Sequence, residues 1–302
     1  MRTRSIGSLE VSVVGLGCNN FGWRIDEART RAVVDAAVEA GVTLLDTADI
    51  YGDTASEEFL GRALLGRRDR VVIATKFGKR GDPGIAGGAA PAYVRGAVEG
   101  SLRRLQTDRI DLYQLHEPRR ETPIADTLGA LGDLVEQGKV REIGCSNFSG
   151  AQVREAAHAG SAGFACVQNE LNLLRRADLD DGLAEARRLG MAYLPYFPLA
   201  SGLLTGKYRR GEAVPPGTRL DTWYDERERS EVLTDATFDR LSALSAFAAR
   251  RGHSLLELAF AWLLAQPPVV SVIAGATSPE QAMQNVNAAA WEPETNDLDG
   301  LP

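Results

Sequence analysis

The chain is predicted to fold as a (β/α)8 barrel, with its active site at the C-terminal mouth of the strands. Three observations predict it. Eight short, β-branched runs alternate with amphipathic helical stretches, and repeated strand–helix units pair in parallel. The 302 residues, 44% apolar and 25% charged, have the mix of a globule and fit a barrel of ~250 residues with insertions. The doubly wound rival needs a glycine fingerprint after its first strand, but Gly15-Leu-Gly17-Cys-Asn-Asn-Phe-Gly22 carries Asn20 where G-x-G-x-x-G needs glycine.

The expected strands are Val13–Gly17, Val42–Asp46, Val71–Lys76, Ile110–His116, Glu142–Ser146, Ala165–Gln168, Met191–Phe197 and Val269–Gly275. Helical patterns fill Asp26–Ala40, Ser56–Leu65, Pro91–Leu105, Thr122–Gln137, Ser149–Ala159 and Asp178–Leu189. Asp26 is a starting cap for the first, and Gly41, Gly138 and Gly190 are stops after their helices. Between the seventh and eighth runs the spacing breaks. Pro198 to Pro268 holds a Gly/Pro/charge-rich excursion, Gly202 to Ser230, then two helices, Thr234–Arg251 and Ser254–Ala265. Loops after strands build barrel active sites, so this excursion is expected to be a lid. A single domain over 1–302 is expected, with the long loop at about 199–233 and a C-terminal tail at about 291–302.

Composition excludes several classes. The net charge is −7 and no Lys/Arg stripe stands out, so no nucleic acid is expected as a partner. The longest apolar run, Leu258 to Ala265, is too short to span a bilayer, so no membrane is expected either. No export signal is visible at the N-terminus, which makes the cytoplasm the expected compartment. Cys18, Cys145 and Cys166 form no CxxC pair and read as reduced thiols. No HExxH or EF-hand loop occurs, so no metal is expected. Gly202-Leu-Leu-Thr-Gly206-Lys207 is too short between glycines for a P-loop, and no tyrosine is followed four residues later by lysine. The oligomeric state is not legible.

The chemistry is sought at strand ends. The second run ends at Asp46, with Tyr51 five residues on; the third ends at Lys76 and the fourth at His116. Singly, each has a bland explanation: a cap, a rim aromatic, a surface cation, a packed imidazole. Together they occupy three consecutive strand ends at one mouth. Tyrosine, with a pKa near 10, is a poor proton donor-acceptor at neutral pH unless a cation lowers it. A lysine within ~4–6 Å does so, and a carboxylate behind fixes the lysine. Only four of the 34 basic residues are lysines, so Lys76 departs from the habit of this chain.

Five segments carry a family likeness: Gly41-Val-Thr-Leu-Leu-Asp46-Thr-Ala-Asp-Ile-Tyr51-Gly52, Ala74-Thr-Lys76-Phe-Gly78, Asp111-Leu-Tyr-Gln-Leu-His116, Ile143-Gly-Cys-Ser146-Asn147, and Tyr196-Phe-Pro198 through Lys207-Tyr208. With them, from about residue 3 to residue 290, the chain resembles the aldo-keto reductases and, more distantly, their potassium-channel β-subunit branch. The resemblance implies NADPH-dependent carbonyl reduction by a catalytic tetrad of Asp46, Tyr51, Lys76 and His116. It implies that Ser146, Asn147 and Gln168 hold the nicotinamide carboxamide and that Tyr196 stacks beneath the ring. Asn19, Asn20 and Asp46 line the same cofactor groove, while Phe197, Pro198, Leu199, Ser201, Lys207 and Arg219 flank the diphosphate and adenosine. Gly275, Thr277, Gln281 and Asn285 match the adenosine 2′-phosphate site. Phe21, Trp23, Tyr51, Phe77 and His116 are expected to touch substrate, with Trp223 and Tyr224 as further walls and Arg24 as a candidate for an anionic group. Arg119 and Arg120 read more simply as solvated charge.

Two departures matter. Phe197 replaces the serine common after the stacking aromatic. The last motif lacks the Lys or Arg that many members carry, so NADP(H) is expected over NAD(H) by only ~1–3 kcal/mol. The partner is a small-molecule carbonyl or sugar. Three alternatives stand beside reduction: a sugar or polyol dehydrogenase running oxidatively with NAD(P)+, a lyase using Lys76 as a Schiff-base nucleophile, and a non-catalytic cofactor-sensing subunit.

Overall fold

The computed structural model describes residues 1–79, 88–160, 162–294 and 296–302. The N-terminus forms an antiparallel hairpin, β1 (Thr3–Ile6) and β2 (Leu9–Ser12). Eight parallel strands follow: β3 (Val14–Gly17), β4 (Leu44–Asp46), β5 (Val72–Phe77), β6 (Ile110–Leu115), β7 (Val140–Ser146), β8 (Cys166–Glu170), β9 (Ala192–Tyr196) and β10 (Val272–Gly275). They lie in the order β10-β3-β4-β5-β6-β7-β8-β9, and a parallel bridge between Tyr193 and Val269 joins β9 to the segment entering β10. This is the (β/α)8 barrel that the alternating runs predict.

Helices α1 (Glu27–Glu39), α2 (Ala55–Ala63), α3 (Pro91–Leu105), α4 (Ile124–Glu136), α5 (Gly150–His158) and α6 (Gly182–Leu189) connect the first seven barrel strands. Local chemistry starts them: Asp26 accepts the Arg29 N–H at 2.9 Å, and Ser149 and Gln152 form a reciprocal capping box on α5. The pattern over Asp178–Leu189 predicts one helix, but a 3-10 turn at Ala177–Asp180 precedes α6. The excursion after β9 is a 3-10 segment, Ala200–Thr205, then α7 (Arg219–Trp223) and α8 (Glu226–Val232). Next come α9 (Asp235–Ala249), α10 (Leu255–Leu264) and, after β10, α11 (Pro279–Ala288). Among the described residues no helix is long and apolar enough to cross a membrane.

The barrel interior is layered because alternate strand residues face inward. At the N-terminal end the inward set is apolar: Leu44, Val72, Ala74, Leu112, Cys166, Ala192 and Leu194 pack on Ile6, Leu9 and Val11 of the hairpin. The hairpin therefore plugs the floor, a role that the short N-terminal segment did not reveal. Two residues further along the strands the inward set turns polar, with Asp46, Lys76, Gln114 and Gln168 all buried.

Candidate active site

Lys76 is fully buried on β5, and its ammonium donates to Asp46 Oδ1 at 2.8 Å, Asp46 Oδ2 at 2.7 Å and the Thr47 carbonyl at 2.9 Å. Burial works against that charge, but Asp46 and Tyr51 outweigh it and hold Lys76 above the ordinary lysine range. An amine held charged is a poor nucleophile, which counts against the Schiff-base alternative. Gln168 donates to the same Asp46 Oδ1 at 2.9 Å, so the carboxylate is braced from β8 as well.

Tyr51 follows β4 in a loop that continues the sheet's hydrogen bonding: Thr47 N–H donates to the Ala74 carbonyl at 2.8 Å and Asp49 N–H to the Lys76 carbonyl at 3.0 Å. Gly52 turns the chain with φ of +61°, and a Cβ there would sit 2.4 Å from the Phe21 carbonyl, so only glycine fits. Lys76 Nζ lies 5.3 Å from the Tyr51 ring centroid, and the rings of Tyr51 and His116 meet edge-on at 5.8 Å. The expectation that the cation draws the phenol below its ordinary pKa needs correcting. Burial outweighs Lys76 and moves Tyr51 upward, with Lys76 the largest opposing influence. The phenol is thus held protonated, the form able to give a proton. His116 is moved well down, by burial first and then by the charges of Lys76 and Lys79, so its imidazole is neutral. Its Nδ1 has no hydrogen-bond partner among the described residues.

Beside this group stands a polar wall. Ser146 donates to the Gln168 carbonyl at 2.8 Å. Asn147, left-handed at φ of 62°, donates to the His116 carbonyl at 2.9 Å and accepts from the Tyr196 hydroxyl at 2.7 Å. Phe197 is also left-handed, and Asn172 donates to its carbonyl at 3.0 Å. Asn172 escaped the sequence reading, and so did the inward-facing Gln114, whose place two residues before His116 was the available signal.

The excursion after β9 reaches the first loop. Asn20 accepts from Arg219 at 3.4 Å and donates to the Ala276 carbonyl at 3.4 Å, while Arg24 donates to the Gly217 carbonyl. Asn19 sits beside Gly275. The Arg219 guanidinium lies 4.9 Å from the Phe197 ring and 4.1 Å from Trp223, so the unusual Phe197 serves as a cation platform. Pro198 is buried and Leu199 begins the turn in which Ser201 bonds Tyr224 at 3.0 Å. Burial and the neighbouring Arg24 bring Arg219 down to about 10, and burial with Arg24 and Arg219 lowers Lys207. None of these three cations has a carboxylate partner among the described residues.

Not every expected contact is accessible. Phe21 and Phe77 are fully buried, and Phe77 stacks on Tyr113 at 4.6 Å, so both pack the core and are not pocket walls. Trp23, 59% exposed, pairs with Trp223 at 6.2 Å on the rim. Arg119 is engaged with the Gly78 carbonyl at 2.6 Å. At the far end, Thr277 spends both its N–H (2.8 Å) and its hydroxyl (3.0 Å) on Gln281 Oε1, and the buried Asn285 donates to the Gly275 carbonyl at 3.4 Å.

Residues 13–299 match the Aldo/keto reductase family model. The chain belongs to the aldo/keto reductase family. It is therefore an NAD(P)H-dependent oxidoreductase acting on carbonyl or alcohol groups of small molecules. A glycerol dehydrogenase of Gluconobacter oxydans superposes with a TM-score of 0.85 at 30% identity, covering 99% of this chain and 93% of that one. An aldo-keto reductase of Bacillus halodurans in its holo form gives 0.81 at 32%, covering 98% and 93%. Among curated relatives, a probable voltage-gated potassium channel β subunit of Oryza sativa subsp. japonica is 33% identical, covering 95% of this chain and 91% of its own.

Proposed function

We propose that this reductase converts an aldehyde or ketone to the alcohol with NADPH, in one catalytic unit over 1–302, with Tyr51 as general acid. The observation that carries the reading is the buried Lys76 charge, clamped by both Asp46 oxygens and lying under the Tyr51 ring. A nicotinamide dinucleotide suits the remaining residues: three cations without carboxylate partners, Arg24, Lys207 and Arg219, would hold its diphosphate, and Tyr196 with Ser146, Asn147 and Gln168 would hold the nicotinamide. The cofactor supplies the hydride.

The protein handles the proton. Tyr51 gives its phenolic proton to the carbonyl oxygen as negative charge develops there. Lys76 then stabilises the phenolate left behind, and Asp46 keeps the ammonium in place. Neutral His116 donates one ring N–H to the same oxygen and orients it. Changing Tyr51 to Phe lowers kcat by ~10²–10⁴ while the cofactor dissociation constant is nearly kept. Turnover close to the parent's in a panel of carbonyl substrates, followed by NADPH absorbance, overturns the assignment. NADPH binds tighter than NADH by ~1–3 kcal/mol, aided by the α11 N-terminus and the lid cations. A titration favouring NADH reverses it.

The glycerol dehydrogenase neighbour favours a second reading, oxidation of a polyol or sugar with NAD(P)+ at the same residues. The assembled Asp46–Lys76–Tyr51–His116 group supports an enzyme over a cofactor-sensing subunit. A cytoplasmic location goes with this reading.

A further inference from the structure

The final motif lacks a basic residue, yet the fold brings one to it from the opposite end of the chain. β10 pairs with β3, Gly275 level with Gly17, so α1, which follows β3, lies beside the loop that follows β10. Arg29, in the first turn of α1, donates through Nε to the Thr277 carbonyl at 2.8 Å. It is exposed, and its two Nη groups have no hydrogen-bond partner or carboxylate among the described residues. The side chains of the motif itself are largely committed. Thr277 and Gln281 bond each other, Ser278 Oγ accepts the Gln281 N–H, and Asn285 is tied to Gly275. One anionic group shares the position. Hydrogen bonds from Ser278 and from its own N–H, then the Arg29 charge, hold the Glu280 carboxyl below its ordinary pKa.

We propose that Arg29 is the residue that recognises the adenosine 2′-phosphate of NADPH, with Glu280 opposing it. The proposal rests on the reading above that this loop receives the adenosine end. Nε anchors the guanidinium to the loop and leaves the two Nη groups as an unpartnered fork suited to phosphate oxygens. NADH carries a neutral hydroxyl in place of that phosphate and gains little from Arg29. Glu280 repels the phosphate dianion and so keeps the cofactor preference modest despite a well-placed arginine.

Calorimetric titration with 2′,5′-ADP and with 5′-AMP isolates this end of the cofactor. Replacing Arg29 by Gln weakens 2′,5′-ADP about tenfold, the size of a lost charge-assisted contact, and Arg29→Lys falls between the two. Glu280→Gln tightens 2′,5′-ADP, while 5′-AMP changes by less than about twofold in all three variants. A purely structural role for Arg29 weakens both ligands equally, and that result overturns the proposal. If the parent discriminates between the ligands and Arg29→Gln discriminates equally, the Arg29 assignment alone fails. If the parent does not discriminate, the NADPH preference fails with it.

Discussion

At the scale of single residues, the decisive feature is one of only four lysines in a chain that mostly uses arginine. Lys76 is a compact charge small enough to be wholly buried against Asp46, a position that a planar guanidinium would not fill. Its effect on Tyr51 is differential. Burial raises the phenol and Lys76 pulls it back, so removing Lys76 sends the phenol higher still. Reduction needs the protonated phenol, and the alkaline limb of its pH profile falls as that proton is lost. Lys76→Met should therefore lower kcat about 10²-fold and move the alkaline limb of the residual activity upward. The variant leaves Asp46 as an unpaired buried carboxylate, costing about 3–5 kcal/mol, so the profile is measured well below its Tm. An unmoved limb would show that the two groups are not coupled.

At the scale of elements, the strands and most helices were legible because hydrophobic period and capping residues are local signals. Asp26, Ser149 and Ser254 cap the helices they were expected to start, Ser254 in a box with Glu257. The β1–β2 hairpin was not read, because each of its strands has only four residues and its partner surface is the barrel floor. Its contribution is measurable. Leu9 is 1% exposed among Ile6, Leu44 and the other floor residues, so Leu9→Ala should cost about 2–5 kcal/mol in urea unfolding. Turnover per folded molecule should stay unchanged, since Leu9 lies at the opposite end of the barrel from Tyr51. A loss below about 1 kcal/mol would mean that the floor collapses to refill the space.

At the scale of the whole molecule, two titratable groups, one half-buried and one buried, pull stability in opposite directions with pH. Asp49, in the loop that carries Tyr51, is pushed up to about 7 by burial and then by Glu57. A carboxyl raised on folding favours the native state below its unfolded pKa of ~3.9, and that contribution is lost as pH rises through about 7. His116 is depressed, so its contribution is present above ~6.5 and is lost on acidification. Asp49→Asn removes the first effect alone. The difference in Tm between variant and parent should open in the variant's favour from about pH 4 and level off above about pH 7. A pH-independent difference would show that Asp49 does not titrate differently in the folded and unfolded chain.

What the sequence by itself determined is the set of repeating units and the chemistry at their ends. Hydrophobic period shows the eight barrel strands and most of the helices, and strand termini mark where Asp46, Lys76 and His116 emerge. Tertiary structure decided everything that depends on closure. Only the parallel register of β10 on β3 brings Arg29 within 2.8 Å of Thr277, 248 positions away in sequence. Only inward burial shows that Phe21 and Phe77 are core, that Tyr51 is shifted upward, and that Phe197 carries Arg219. Desolvation and long-range pairing depend on which surfaces meet, and no local pattern encodes that.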